Sequence, residues 1–260
     1  MLGNRCAVVT GSVAGLGYAI AESLAKAGAR IVLNALCTPQ EGHAAAERLA
    51  AAAGTEVVFD GADLRDVAAI ERMMRGAASR FGGVDIVVNN AVVRHFAPID
   101  KMTTEQWNTS LAVNLSSGFH CARLALPGMR EKGWGRIINM SSIYGSRGAE
   151  NRIDYVTTKT ALIGMTRAIA VETARTGITC NAVCPGVVPS PAIVGRIAGI
   201  AAEQGIPQAQ AERDYLAPRN PTERFVALES VGALVAFLCS PAGQDVTGAV
   251  LPIDGGWLAR

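Results

Sequence analysis

The sequence predicts an α/β protein built on one doubly wound parallel sheet of about seven strands. Three observations carry this prediction. Short β-branched apolar runs alternate with alanine-rich stretches at helical spacing along the whole chain. The apolar runs are nearly continuous, as in strands covered on both faces, and do not alternate with polar residues. A glycine-rich turn, TGSVAGLG, joins the first run to the first helix.

The elements follow in order. CAVVT at 6–10 is the first strand, and the helix at 16–27 sets Ile20, Leu24 and Ala27 on one face with Gly28 as its stop. RIVLN at 30–34 precedes a helix near 42–53, and EVVFD at 56–60 precedes one near 66–80. DIVVNN at 85–90 leads to a long helical stretch at 103–130, and GRIINMSS at 135–142 leads to a helix at 155–176. ITCNAVCPG at 178–186 is the sixth strand; a helix at 229–239 and AVLPIDGG at 249–256 complete the series. Strand–helix alternation of this kind implies right-handed crossovers and helices on both faces of the sheet. The stretch 189–221 breaks the rhythm with two or three short helices and no strand, which reads as a substrate lid inserted into a single domain of residues 1–260. There is no internal repeat, low-complexity tract or linker.

Composition narrows the function. Of 260 residues, 50% are hydrophobic and 18% charged, so a core can form and disorder is excluded. The formal charge of +2 argues against a nucleic-acid partner. No apolar run reaches the length of a membrane span, and the N-terminus MLGNRCAVVTG lacks the layout of a signal peptide. The cysteines at 6, 37, 121, 180, 184 and 239 form no metal-binding spacing, and with three histidines no metal site is expected. Reduced thiols acting as small hydrophobes suit a cytoplasmic protein.

The glycine turn is the first chemical motif. Gly11, Gly15 and Gly17 let the backbone turn sharply and approach a pyrophosphate, which the unpaired N–H groups and positive dipole end of the following helix attract. On the first strand–helix turn of such a sheet this is a dinucleotide site of the Rossmann type. The second motif is NRIDYVTTK at 151–159, which places Lys159 one helical turn after Tyr155. A free phenol is a poor base at neutral pH, but a cation on the same helix face favours the phenolate. Tyr155 can then exchange a proton with a secondary alcohol or ketone while a nicotinamide exchanges a hydride. Ser142, at the carboxyl edge of the fifth strand, can hydrogen-bond the substrate oxygen.

These pieces occur in a fixed order: T-G-x-x-x-G-x-G at 10–17, NNA at 89–91, Asn114 in AVNLSS, Ser142, Y-x-x-x-K at 155–159, PG at 185–186 and DGG at 254–256. Over essentially the whole chain they resemble the classical short-chain dehydrogenases/reductases. VFDGADL, GRIINMSS and ETARTGITCNAVCPG look most like the D-3-hydroxybutyrate dehydrogenases of that family. The resemblance implies catalytic roles for Asn114, Ser142, Tyr155 and Lys159, with Asn114 holding a water that links Lys159 to solvent. It implies that Gly11, Ser12, Gly15, Leu16, Gly17, Asn34, Asp63, Asn90, Tyr155, Lys159, Pro185, Val188 and Ser190 bind the cofactor. A homotetramer is the family expectation.

Two features bear on specificity. The second strand ends in LNALC, which has neither an acidic residue for a ribose hydroxyl nor a basic one for a 2′-phosphate. With Ser12 and Val13 also uncharged, NAD is expected over NADP. The substrate wall departs from the resemblance. Positions that hold a small carboxylate through glutamine, histidine and lysine in the hydroxybutyrate enzymes are Arg94, Tyr144, Arg152 and Arg196 here, with Trp257 retained and Arg147 nearby. The usual N-N-A-G becomes N-N-A-V at Val92. Converging arginines call for an anion, and guanidinium forks suit oxyanions. The expected activity is reversible NAD-dependent oxidation of a secondary alcohol or sugar hydroxyl on a small anionic substrate: a hydroxy acid, a sugar acid, or a sulfonated or phosphonated compound. A conventional D-3-hydroxybutyrate dehydrogenase or 3-oxoacyl reductase is the alternative. A non-catalytic dinucleotide-binding regulator is the alternative of another class, and it is disfavoured by the complete Asn114, Ser142, Tyr155 and Lys159 set.

Overall fold

The computed structural model describes residues 2–260. Seven strands, β1 (Cys6–Thr10), β2 (Arg30–Asn34), β3 (Val57–Asp60), β4 (Ile86–Asn89), β5 (Gly135–Met140), β6 (Ile178–Pro185) and β7 (Val250–Ile253), form one sheet in the order β3-β2-β1-β4-β5-β6-β7. Every pairing is parallel. The sheet reverses its winding between β1 and β4, so the carboxyl ends of these two strands frame a crevice.

Alternation along each strand feeds two cores. Ala7 and Val9 face one side, where α1 (Gly15–Lys26), α2 (Pro39–Ala53) and α9 (Leu228–Cys239) contribute Ile20, Leu24, Leu49, Val231 and Val235. Cys6 and Val8 face the other side, against α3 (Val67–Phe81), α5 (Ser117–Lys132) and α6 (Ile153–Thr173), which supply Ile70, Met73, Cys121, Met129 and Ala170. Five of the six cysteines are buried and all are free thiols. Burial pushes the Cys121, Cys180 and Cys239 thiols up to about 12.

Two sequence expectations shift. The second helix starts at Pro39 instead of 42, because Thr38 and Glu41 form a reciprocal cap on its first turn. The stretch at 103–130 is not one helix. It is α4 (Thr104–Leu111), a π turn (Ala112–Ser116) and α5. The π turn carries Asn114, whose side chain leaves the helix to bind the backbone of Val93, and such bulges recur at functional sites. The 189–221 segment contains two helices, α7 (Pro191–Gln204) and α8 (Gln208–Leu216), which pack on each other through Ile197, Ala201 and Ala211. Among the described residues no helix is long and apolar enough to cross a membrane, and no group of side chains could hold a metal ion.

Candidate active site

The glycine turn closes against the end of β4. Gly11 has φ +63°, and a Cβ there would meet the Ala91 Cα at 2.8 Å. A Cβ on Gly17 would lie 2.1 Å from the Gly11 carbonyl oxygen, so only glycine allows α1 to start this close to β1. Asn90 locks the turn by donating from Nδ2 to the carbonyls of Thr10 and Gly11, each at 2.9 Å. Thr10 Oγ1 accepts the N–H groups of Asn90 and Ala91 at 3.0 and 3.1 Å. The Ser12 hydroxyl is fully buried on the Val9 carbonyl, which makes it a brace of the turn. Helix α1 has Ala14 at its cap position, so no side chain takes its first N–H groups. Those donors and the positive end of the helix are left for an anion.

A groove runs across the carboxyl edge of the sheet in two lobes. One, about 260 Å³, is lined by Gly11, Gly15, Leu16, Gly17, Asn90 and Val92 and continues to Ser142, Tyr155, Lys159, Pro185, Val188 and Ser190. The other, about 250 Å³, is lined by Asn34, Leu36, Asp63 and Arg65 and shares Gly11, Ala91 and Val92 with the first. Two lobes joined at an uncapped helix N-terminus match the two halves of a dinucleotide joined at its pyrophosphate. Asn34 Nδ2 bridges the carbonyls of Asp60 and Ala62 at 3.1 and 3.0 Å and so shapes the second lobe. Asp63 is paired with Arg65 at 2.6 Å, and hydrogen bonds from that arginine hold its carboxyl below the usual range. Among the described residues the one cation lining the second lobe, Arg65, is this paired one.

The first lobe ends at the reactive groups. Tyr155 and Lys159 face inward from α6, both buried, with the Lys159 Nζ 5.6 Å from the centre of the tyrosine ring. Lys159 is fixed by donating to the Met140 carbonyl at 2.6 Å. Burial works to raise the Tyr155 phenol. The charges of Lys159 and Arg94 and hydrogen bonds with Ser142 and Arg94 outweigh it, and the phenol ends below its ordinary value. Burial lowers the Lys159 ammonium from its ordinary value, partly countered by Tyr155. Ser142 caps the short turn Ile143–Gly145, accepting the Tyr144 N–H at 3.2 Å, which points its oxygen along the sheet edge. Asn114 accepts the Val93 N–H at 2.8 Å and donates to the Val93 carbonyl at 3.0 Å, clamping the segment that carries Arg94.

Beyond Tyr155 a further cavity of about 170 Å³ opens between the sheet edge and the helical segment. Arg94, Tyr144, Arg152, Arg196 and Trp257 all line it. Arg147 does not. It is exposed and its guanidinium binds the Arg260 carbonyl, because the turn after Tyr144 carries it away from the cavity. Arg219, unremarked in the sequence, lines the cavity instead. Four arginines and no carboxylate therefore surround it, and among the described residues none of the four forms an ion pair. Aromatic rings take that place. The Arg152 guanidinium lies 4.3 Å from the Phe96 ring centre and 4.4 Å from that of Tyr155. Its Nε is buried with no hydrogen-bond partner. Burial, together with the nearby charge of Arg94, lowers its pKa, although Tyr155 pulls the other way.

A second unanticipated cluster supports this wall. Asp154, fully buried, accepts from Ser110 Oγ at 2.6 Å, from the Tyr155 N–H at 2.7 Å and contacts His95 Nδ1 at 3.0 Å. Asp154 thus ties the start of α6 to α4 and to the segment between Arg94 and Phe96.

Comparisons with known proteins agree with this geometry. Residues 11–258 match the family described as enoyl-(acyl carrier protein) reductase. The chain is 44% identical over 260 residues to a D-beta-hydroxybutyrate dehydrogenase of Cupriavidus necator, covering all of both proteins. It is 40% identical over 257 residues to an enzyme of the same name from Rhizobium meliloti, covering 99% of this chain and 100% of the relative. A crystal structure of L-sorbose reductase from Gluconobacter frateurii, complexed with NADPH and L-sorbose, superimposes with a TM-score of 0.94 at 30% identity, covering 99% of this chain and 98% of that one.

Proposed function

The chain belongs to the short-chain dehydrogenase/reductase family of nicotinamide-dinucleotide oxidoreductases, and on that premise we propose that it reversibly oxidises a secondary alcohol on a small anionic substrate, with NAD as the cofactor. The observation that carries the anion is the cavity beside Tyr155, with its four arginines, its lack of any acidic residue and the unpartnered Arg152 Nε. Two like charges roughly 8 Å apart repel by about 2 kcal/mol at an effective dielectric near 20. Several unpaired guanidiniums around one small cavity therefore gain from an oxyanion that accepts their forked hydrogen bonds.

The protein's own groups divide the work. Gly11, Gly15 and Gly17 with the start of α1 hold the pyrophosphate, and the lobe around Asn34 and Asp63 takes the adenosine. The absence of an unpaired cation in that lobe supports NAD over NADP. NAD held there would supply the hydride acceptor for the carbinol carbon in oxidation, and its reduced form the hydride donor in reduction. Tyr155, as phenolate, removes the hydroxyl proton, and returns it in the reverse direction. Ser142 holds the substrate oxygen at the tyrosine, and Lys159 keeps the phenol acidic. Asn114 fixes the segment bearing Arg94, and the second lone pair of its Oδ1 is available to order a water for proton relay to Lys159. Arg94 and Arg152 hold the substrate anion at the same distance from Tyr155 in every turnover, which fixes the hydroxyl that reacts. The helical segment over the cavity acts as a lid.

A hydroxy acid of the 3-hydroxybutyrate type is the specific reading favoured by the two full-length relatives at 44% and 40% identity. The comparisons offer no support for a sulfonated substrate. Initial rates of NAD reduction with hydroxybutyrates, other small hydroxy acids, sugar acids and uncharged sugars test the reading. Turnover confined to the acids supports it, and turnover confined to uncharged sugars would overturn it.

A further inference from the structure

Resting on the anionic-substrate reading, we infer that the substrate carries a second acidic group, bound by Arg196 and Arg219, so that the preferred ligand class is a hydroxy dicarboxylate. The four arginines are borne by two different parts of the fold. Arg94, on the segment after β4, and Arg152, at the cap of α6, belong to the floor of the site and both flank the Tyr155 ring, at 5.6 and 4.4 Å from its centre. Arg196 lies on α7 and Arg219 follows α8, so both belong to the lid.

The ring of Phe96 is in contact with one member of each pair. The Arg152 guanidinium lies 4.3 Å from its centre and that of Arg196 lies 5.5 Å away. The four cations therefore come as two pairs carried by separate parts of the fold, with Phe96 an apolar contact of one member of each, an arrangement that suits two separate oxyanions better than one. Arg219 is held in place, stacked 4.2 Å from the Tyr215 ring centre with Nη1 donating to the Tyr215 carbonyl at 2.6 Å. Its remaining N–H donors have no protein acceptor among the described hydrogen bonds.

Charge points the same way. One carboxylate supplies one negative charge and two acceptor oxygens, which leaves most of the guanidinium donors of this wall unmatched. A dicarboxylate supplies one carboxylate to the floor and one to the lid, and in doing so bridges them. Closure of α7 and α8 over the reacting carbon would then depend on the second carboxylate, so the same contact that selects the substrate also excludes water.

Binding separates this inference from the catalytic one. Glutarate and butyrate, which lack the reacting hydroxyl, are titrated calorimetrically into the NAD-loaded protein and into an Arg196→Gln, Arg219→Gln double variant whose fold is checked by circular dichroism. Glutarate should bind the native protein at least about tenfold more tightly than butyrate, and the gap should fall below about threefold in the variant. Equal affinities in the native protein, or a gap that survives in the variant, would overturn the second subsite. NAD reduction is then measured with 3-hydroxyglutarate, which differs from 3-hydroxybutyrate only by one added carboxylate. A binding gap without turnover of either compound would leave the subsite standing and refute the 3-hydroxy acid reading of the reaction.

Discussion

Replacing Gly17 by alanine tests whether the turn after β1 is built for a ligand or only for the fold. The new Cβ would lie 2.1 Å from the Gly11 carbonyl oxygen and 2.5 Å from Asn90 Nδ2, so the turn must move by more than 1 Å to restore ordinary contact. Overpacking of this kind costs about 1–3 kcal/mol. Alanine in place of glycine in a helix returns about 1 kcal/mol. The net loss of stability is then roughly 0–2 kcal/mol, or at most a few degrees in Tm for a chain of this size. The cofactor suffers more, because the displaced backbone N–H groups are those aimed at the pyrophosphate. Losing one charge-assisted hydrogen bond of about 1.5–3 kcal/mol raises Kd by roughly 10–100-fold. Gly15 gives the contrast in stability alone. A Cβ there meets no protein atom within 4 Å, so its cost to the fold is confined to the backbone strain of its φ of +58°. NADH fluorescence titration and thermal melts of both variants are the assays. Gly17→Ala binding NADH within twofold of the native protein would refute the geometry argued for the turn.

Other perturbations read the remaining parts of the site. Tyr155→Phe should lower kcat by about 10²–10⁴-fold with a much smaller change in NADH affinity, since the phenol moves the proton. Because the Tyr155 phenol is held below its ordinary value, alcohol oxidation should rise with pH and level off before the usual tyrosine range, and Lys159→Met should move that plateau to higher pH. Arg152→Gln should raise KM for an anionic substrate about tenfold or more with a smaller change in kcat, and an unchanged KM would place Arg152 outside the substrate site. Asp154 is fully buried, and hydrogen bonds from Ser110, His95 and the Tyr155 N–H outweigh the opposing effect of burial to hold its carboxyl below the usual range. Its stabilising effect is therefore present above the ordinary carboxylate pKa and lost as pH falls through the lower folded value. Asp154→Asn should lower stability by about 2–4 kcal/mol at neutral pH, and denaturant melts showing the same loss at neutral and strongly acid pH would contradict this.

The parts of the site that depend on local spacing were legible in the sequence. Tyr155 and Lys159 are one helical turn apart and had to share a face. The glycines at 11, 15 and 17 stand where a strand gives way to a helix. Features that depend on long-range packing were not legible. Asp154 stands two residues from Arg152 in sequence, but the first turn of α6 rotates it inward to Ser110 and His95, 44 and 59 residues away. Arg152 stacks on Phe96 and Tyr155. Arg219 follows α8 without any periodic cue, and only the fold of the helical segment brings it over the cavity. Arg147 failed for the converse reason, since nearness in sequence to Tyr144 did not survive the turn between them.

The most direct test of the central claim is the ratio of kcat/KM for 3-hydroxybutyrate to that for its uncharged amide, measured with NAD in the native protein and in Tyr155→Phe. A ratio of at least about tenfold in favour of the acid, with both activities lost in the variant, is the predicted result. Equal or better turnover of the amide would mean that the arginines do not read charge, and turnover that survives Tyr155→Phe would mean that the proton is moved by another group.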